Sequence, residues 1–374
     1  MLWPAAVELG GVSVSLADVL ADITLYHGRA DISDEPTAST CQLTLADVDK
    51  EASQAFSVGQ SLRVTVSDGG APAVPRFTGR VTDGSLVDDE LTIIGAGAVS
   101  TLGGYEIGAG DYPQEAWSAR VSRVFGDAGL GSLLELHADP LLDPLLAART
   151  SETAGETTLG DYLAFLARMV GAAVTDTPDG RILVQAVGAR TLDGAYTLDP
   201  ADVAFTPAWT EELPRGNIVT VRYTGDQSEH VTVTDPVSID RYGERPETID
   251  TSFVHLADAD YRARQRLSRS AFSHWNMPAA PILRGLELTV GEPIVLAGMP
   301  AASPFDPWTP TLEGWNDSIS GDAWTMTLSL SDPLLSGLTI PWDDVPPSAE
   351  YLWNTVDVET DWTEALTLEA LNAG

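Results

Sequence analysis

Cys41-Gln42-Leu43-Thr44-Leu45 alternates apolar and polar side chains at every step. That is the period of a strand with one face on a core and the other on solvent. The same alternation appears at Ile23-Thr24-Leu25-Tyr26, Leu62-Arg63-Val64-Thr65-Val66, Phe77 to Val81 and Leu91 to Ile94. Polar or Gly-rich stretches such as Ser67-Asp68-Gly69-Gly70 separate the runs, and residues of that kind turn a chain. Short alternating strands at this spacing predict a small β-barrel or sandwich over residues 1–105.

After Gly110 the period becomes helical. Pro113 reads as opening a helix whose residues Trp117, Val121, Val124 and Phe125 share one face. Residues 130–150 are Leu-rich but carry two prolines, which predicts short helices or irregular structure. Thr158 reads as an N-cap with Asp161 three residues on, before a buried stripe of Leu159, Tyr162, Leu163, Leu166, Met169 and Val170. Ala173-Val174-Thr175 and Ile182-Leu183-Val184 flank Pro178-Asp179-Gly180, a hairpin pattern. Residues 106–200 thus form an α+β unit.

Strands return at Asn217 to Tyr223, His230 to Val233, Leu286 to Val290, Pro293 to Leu296 and around Ser320-Gly321-Asp322, ending with Trp324 to Leu330. A helix is predicted near 258–275. The expected fold class is mainly β with an α+β insert: two small β-barrel domains flank a helix-and-hairpin domain. The second barrel spans 201–340 and contains that helix. Residues 341–374 form an acidic C-terminal arm with Trp342, Trp353 and Trp362. No internal repeat of fixed short period is present.

Composition narrows the function. Asp and Glu number 55 against 20 Lys and Arg, a net charge of −35, and Lys50 is the only lysine. Such a surface repels phosphate, which excludes a nucleic-acid reader. The acidity is either functional or the bias of a GC-rich genome. Cys41 is the only cysteine, so an internal disulfide and a Cys-rich zinc site are both excluded. No apolar run approaches the roughly 20 residues of a membrane span. The first ten residues do not read as a signal peptide.

Catalytic patterns fail one by one. None of His27, His137, His230, His255 and His274 accompanies a Gly-x-Ser-x-Gly elbow or a His-Glu-x-x-His helix, and all five read as structural. Asp258-Ala259-Asp260 resembles a metal cluster but reads as the N-cap of the helix that follows it. Walker, dinucleotide and calcium-loop patterns are absent. No catalytic residue, metal site or cofactor is therefore expected. One cationic group stands out: Arg262, Arg264, Arg266 and Arg269. On a helix Arg262, Arg266 and Arg269 lie on roughly one face. Either they are a solvated face, or they form an intersubunit or interdomain surface that pairs with carboxylates.

Taken in series, several segments resemble one family. They are Ile23 to Asp31, Ser39 to Leu45, Phe77 to Asp83, the Thr158–Val170 helix with its Asp-Gly hairpin, Asn217 to Tyr223, and Trp324 to Leu330. Together they are similar to bacteriophage baseplate-hub and tail-tip minor tail proteins, a family that includes secretion-system spike bases. The likeness covers roughly residues 15–335 and is greatest to phages of actinobacteria. No single motif is specific. The resemblance implies a homotrimer whose two barrels per chain form a pseudo-sixfold ring between a sixfold tail tube and a threefold tip. It implies a place in the virion tail tip after synthesis in the host bacterial cytoplasm. Its partners would be the distal tail protein, the tape-measure protein and other minor tail proteins, with DNA passing through unbound. Arg262, Arg266, Arg269, Trp342, Trp353 and Trp362 are the interaction candidates. Two rival readings stand beside it. The ten Trp residues would suit a carbohydrate- or receptor-binding tail module if Trp315 and Trp324 were exposed. A cell-wall hydrolase would need a cleft holding perturbed acids.

Overall fold

The computed structural model of the protein describes residues 5–14, 21–29, 37–46, 57–66, 73–88, 90–107, 111–139, 142–149, 157–189, 196–198, 210–224, 228–276, 280–282, 288–297, 308–320 and 323–331. The alternating runs near the N-terminus become β1 (Ala5–Leu9), β2 (Val12–Val14), β3 (Ala21–Gly28), β4 (Thr40–Leu45), β5 (Ser61–Val66), β6 (Val74–Val87) and β7 (Glu90–Ala96). Alternation places Leu62, Val64 and Val66 of β5 fully inside, next to Leu43, Phe77 and Ile93. Each such side chain contributes about 1.5–3 kcal/mol by leaving water. The pair β1 and β2 was not expected from the sequence. It forms because Gly10 and Gly11 take positive φ and let the chain reverse at once.

The middle of the chain builds a second core. It contains β8 (Leu134–His137), β9 (Ala173–Asp176), β10 (Ile182–Gln185), β11 (Ile218–Thr224), β12 (Ser228–Thr234) and β13 (Pro246–Asp250). Its helices are α1 (Trp117–Asp127), α2 (Leu159–Val170), α3 (Pro236–Tyr242) and α4 (Leu256–Ser270). The Thr158 hydroxyl accepts the Asp161 N–H at 3.1 Å, and Gly171 ends α2 in the left-handed conformation, φ 73°. The Trp117 indole donates to the Leu166 carbonyl at 2.8 Å and ties α1 to α2. Pro113 does not open α1: residues 115–116 pair as a short strand, and the helix begins at Trp117. The Leu-rich stretch holds β8, which runs parallel to β10 beside the β9–β10 hairpin.

The C-terminal part adds β14 (Ala280–Ile282), β15 (Ile294–Leu296), β16 (Thr311–Ser320) and β17 (Ala323–Ser331). Leu288 to Val290 form no strand, and Leu286 and Glu287 lie outside the described residues. The protein is mainly β. Ten strands form one curled half-barrel sheet in the order β14-β17-β16-β3-β4-β7-β6-β5-β1-β2. Two separate apolar cores lie along it. One is lined by β1 and β3–β7, the other by β15–β17 with Leu198, Leu288 and Trp308.

The core of the middle unit shows that residue 200 does not separate two packing units. Val219, Val221, Tyr223, Ile249, Phe253, Ala259 and Ala263 all belong to the same core as the buried residues of α1 and α2. The helix expected within the second β unit is thus part of the middle one. The inner face of α4 carries buried Ala259 and Ala263 with the partly buried Tyr261 and Leu267, and it lies between β11 and the end of α2. Among the described residues no helix is long and apolar enough to cross a membrane.

Candidate assembly site

The two cores along the sheet meet at the pairing of β3 with β16, and β9 of the middle unit lies against β3. His27 lies opposite Trp315, Gly28 opposite Gly314, and Leu25 opposite Asp317. The two backbones approach so closely that a Cβ on Gly28 would overlap the Glu313 carbonyl, and one on Gly314 would overlap that of His27. Gly28 also has φ 76°, so glycine is required on both counts.

Charged side chains close this joint from both sides. The Arg76 guanidinium, from β6, donates to both oxygens of Asp317 at 3.1 and 2.9 Å. It lies 5.1 Å from the Trp315 ring and 5.2 Å from the Trp324 ring, a cation between two aromatic faces. Both indole N–H groups donate to the same carboxylate, at 3.1 and 2.8 Å. Burial raises the Asp317 pKa above the usual carboxylate range, against the pull of Arg76 and the two indoles. Next to it Arg29 donates to Glu313 at 2.8 Å, and the Ser331 hydroxyl donates to that carboxylate at 2.6 Å. Glu313 and Asp317 are wholly buried, so each depends on its arginine.

The joint continues into the middle unit. The His27 ring stacks on Trp315 with centroids 5.0 Å apart. Its Nδ1 lies 2.8 Å from the Ser39 hydroxyl. Burial, reinforced by the Arg76 charge, lowers the His27 pKa to about 3, so the ring is neutral. The Ser39 N–H donates to Asp176 at 2.7 Å, and the Val99 N–H donates to the other oxygen at 2.8 Å. Burial raises the Asp176 pKa to about 6 despite those backbone donors. Ser39, His27 and Asp176 are not a nucleophile triad. Asp176 accepts from the serine backbone and does not touch the histidine, and all three are sealed inside.

The candidate residues fall in several places. Arg262 is buried, and its guanidinium donates to the Met169 carbonyl at 2.8 Å and the Arg168 carbonyl at 3.4 Å. It therefore caps the C-terminus of α2, where a cation meets the negative helix end. Burial, and after it the charges of Arg266 and Arg269, lower its pKa to about 9. Arg266 pairs with Glu247 of β13 at 2.9 Å, and Arg264 pairs with Asp260 along the helix at 2.9 Å. Arg269 is half-buried near Tyr261. The arginine face is thus committed largely within the chain. A signal for this was present: Arg262 shares its face with Ala259 and Ala263, both buried. Asp258 is not the N-cap of α4. His255 holds that position and Asp258 sits in the first turn, where it still faces the helix dipole. Trp342, Trp353 and Trp362 lie outside the described residues.

The same geometry bears on the rival readings. Trp315 is buried and Trp324 half-buried, both committed to Arg76 and Asp317, so they form no exposed platform for a sugar. The raised carboxyls Asp176 and Asp317 are enclosed. They do not line the open cleft of about 540 Å³ between Gln114, Tyr223, Glu229 and His255. Among the described residues no group of three His, Cys, Asp or Glu could hold a metal ion.

No protein-family model matches the chain, and no curated protein matches it. Solved structures do. The 43 kDa tail protein of prophage MuSo2 from Shewanella oneidensis superimposes with a TM-score of 0.59 at 17% identity, over 88% of this chain and 98% of that one. A tail protein from Neisseria meningitidis MC58 gives 0.60 at 15% identity, over 91% and 100%. An E. coli component of the type VI secretion system, described as structurally similar to the T4 bacteriophage tail proteins gp27 and gp5, gives 0.50 at 13% identity, over 88% and 77%. The chain has the fold shared by these tail and secretion-system proteins.

Proposed function

We propose that the protein is a structural component of a phage tail, a tail-tip or baseplate hub that acts without catalysis. One observation carries this reading. Two apolar cores lie side by side along a single sheet and are locked at β3–β16 by Arg76–Asp317 and Arg29–Glu313. A chain that holds two β units at a fixed angle supplies, in three copies, six similar units around a ring. Such a homotrimer matches a sixfold tube on one side and a threefold tip on the other. The superposition with tail proteins over nearly their whole length supports the same reading.

The finer parts of the proposal follow from this ring. The two β units are related barrels. The acidic surface lines a conduit through which DNA passes without binding, because like charges do not adhere. The distal tail protein, the tape-measure protein and other minor tail proteins are the neighbours. Residues 341–374, with Trp342, Trp353 and Trp362, dock on one of them as aromatic anchors, and Arg266 and Arg269 face protein. Native mass measurement of the purified chain and of the virion tests the trimer. Three copies per particle, with threefold symmetry at the tail tip in micrographs, are expected. A monomer in both settings overturns the hub.

A further inference from the structure

The β6–β7 hairpin has one unprotected side. β6 pairs with β5 only through Val74 to Arg80, whereas its pairing with β7 continues to Val87. Among the described residues nothing pairs with β6 on the β5 side between Asp83 and Val87. In an antiparallel ladder a residue sends its N–H and C=O to the same neighbour, and successive residues alternate. The Gly84 N–H is bonded to the Asp83 carboxylate at 2.7 Å and so takes no part in the β6–β7 ladder. Gly84, and Leu86 two residues on, therefore turn their backbone groups toward the open side. The pairing of Val87 with Glu90 across the turn at Asp88, φ 56°, fixes the same phase.

The side chains stop at the same edge. Leu45, Leu91 and Leu86 lie opposite one another in a row across β4, β7 and β6. Leu45 and Leu91 are each 3% exposed, but Leu86 is 51% exposed. A further strand beside β6 would continue that row and cover Leu86. Natural sheets usually blunt such an edge with Lys, Pro or a covering segment. Among the described residues only Asp83 does so, at one N–H.

The charges on the arm select the occupant. From Asp83 to Glu90 every ionisable side chain is acidic: Asp83, Asp88, Asp89 and Glu90. A second copy would bring net −35 and, pairing arm to arm, would set acid against acid, which is unfavourable across strands. The geometry points to strand addition at this edge by an extended segment of a different protein, with apolar residues alternating with Lys or Arg. The apolar residue packs on Leu86 and the cations meet the arm's carboxylates.

The test uses the full chain and a labelled hexapeptide of alternating valine and arginine, followed by fluorescence anisotropy. Binding should weaken with salt and be lost when arginine is replaced by glutamate or alternate peptide amides are N-methylated. Leu86→Pro removes an outward N–H and leaves the β6–β7 ladder intact. It should weaken binding by about fivefold or more, the equivalent of one net hydrogen bond. If Leu86→Pro does not fold, Leu86→Lys guards the edge by charge alone and should have the same effect. Unchanged binding in the folded variants, or equal binding of the glutamate or N-methylated peptides, overturns the proposal. Self-association of the chain that Leu86→Lys abolishes would assign the edge to a second copy and overturn the occupant.

Discussion

A single carboxylate, Asp317, receives one guanidinium and two indoles. Removing one partner of such a buried pair leaves the other charged in a dry interior, at a cost of about 3–5 kcal/mol. Arg76→Met and Asp317→Leu should each cost this much in urea denaturation. The double variant should recover a large part of the loss, because no lone charge remains. His27 adds a pH dependence. Its folded pKa of about 3 lies below its ordinary 6.5, so between those values the unfolded chain binds one more proton. Stability therefore rises with pH across that window and falls on acidification. His27→Gln should flatten the difference between pH 6.5 and 4 relative to the native chain, as measured by denaturation at a series of pH values.

Elements show what could be read in advance and what could not. Strands β3, β4, β5 and β7 and helix α2 announced themselves, since each carries its period and its caps within a dozen residues. The first two strands escaped because a five-residue strand, two glycines and a three-residue strand are too short to show a period. The contact of β3 with β16 joins residues such as Arg29 and Glu313 that are 284 apart, and no local pattern encodes a partner at that distance. Arg262 was visible as a cation but not as a cap, because its acceptors belong to another helix. Its role makes a prediction. Arg262→Met keeps the stem but leaves the Met169 carbonyl without its donor, which should cost about 1–3 kcal/mol. Thr158→Ala, at the other end of α2, should cost about 1 kcal/mol. Thermal melts of both variants check the two ends of one helix.

On the scale of the whole molecule, charge sets the conditions of assembly. In the proposed trimer three copies, each at −35, would repel one another most at low ionic strength, where the screening length grows to about 30 Å at 0.01 M salt. Trimer formation should therefore strengthen as salt is raised, and sedimentation at 10 mM and 300 mM salt (~10 and ~3 times apart from the 0.1 M screening reference) checks it. Deleting residues 341–374 should leave the melting temperature of the β units unchanged and impair incorporation into particles, as counted in micrographs.

The seam between β3 and β16 also sets a timetable for synthesis. At about 5–20 residues per second, the 284-residue step from Arg29 to Glu313 takes roughly 15 to 60 s to emerge. Throughout that interval β3 exists without the strand that covers its flank, and Arg29 exists without its carboxylate. The sheet can be completed only once β16 and β17, the last described strands, have left the ribosome. A nascent chain stalled before residue 311 should expose a sticky strand edge and depend on chaperones, whereas the finished chain should not.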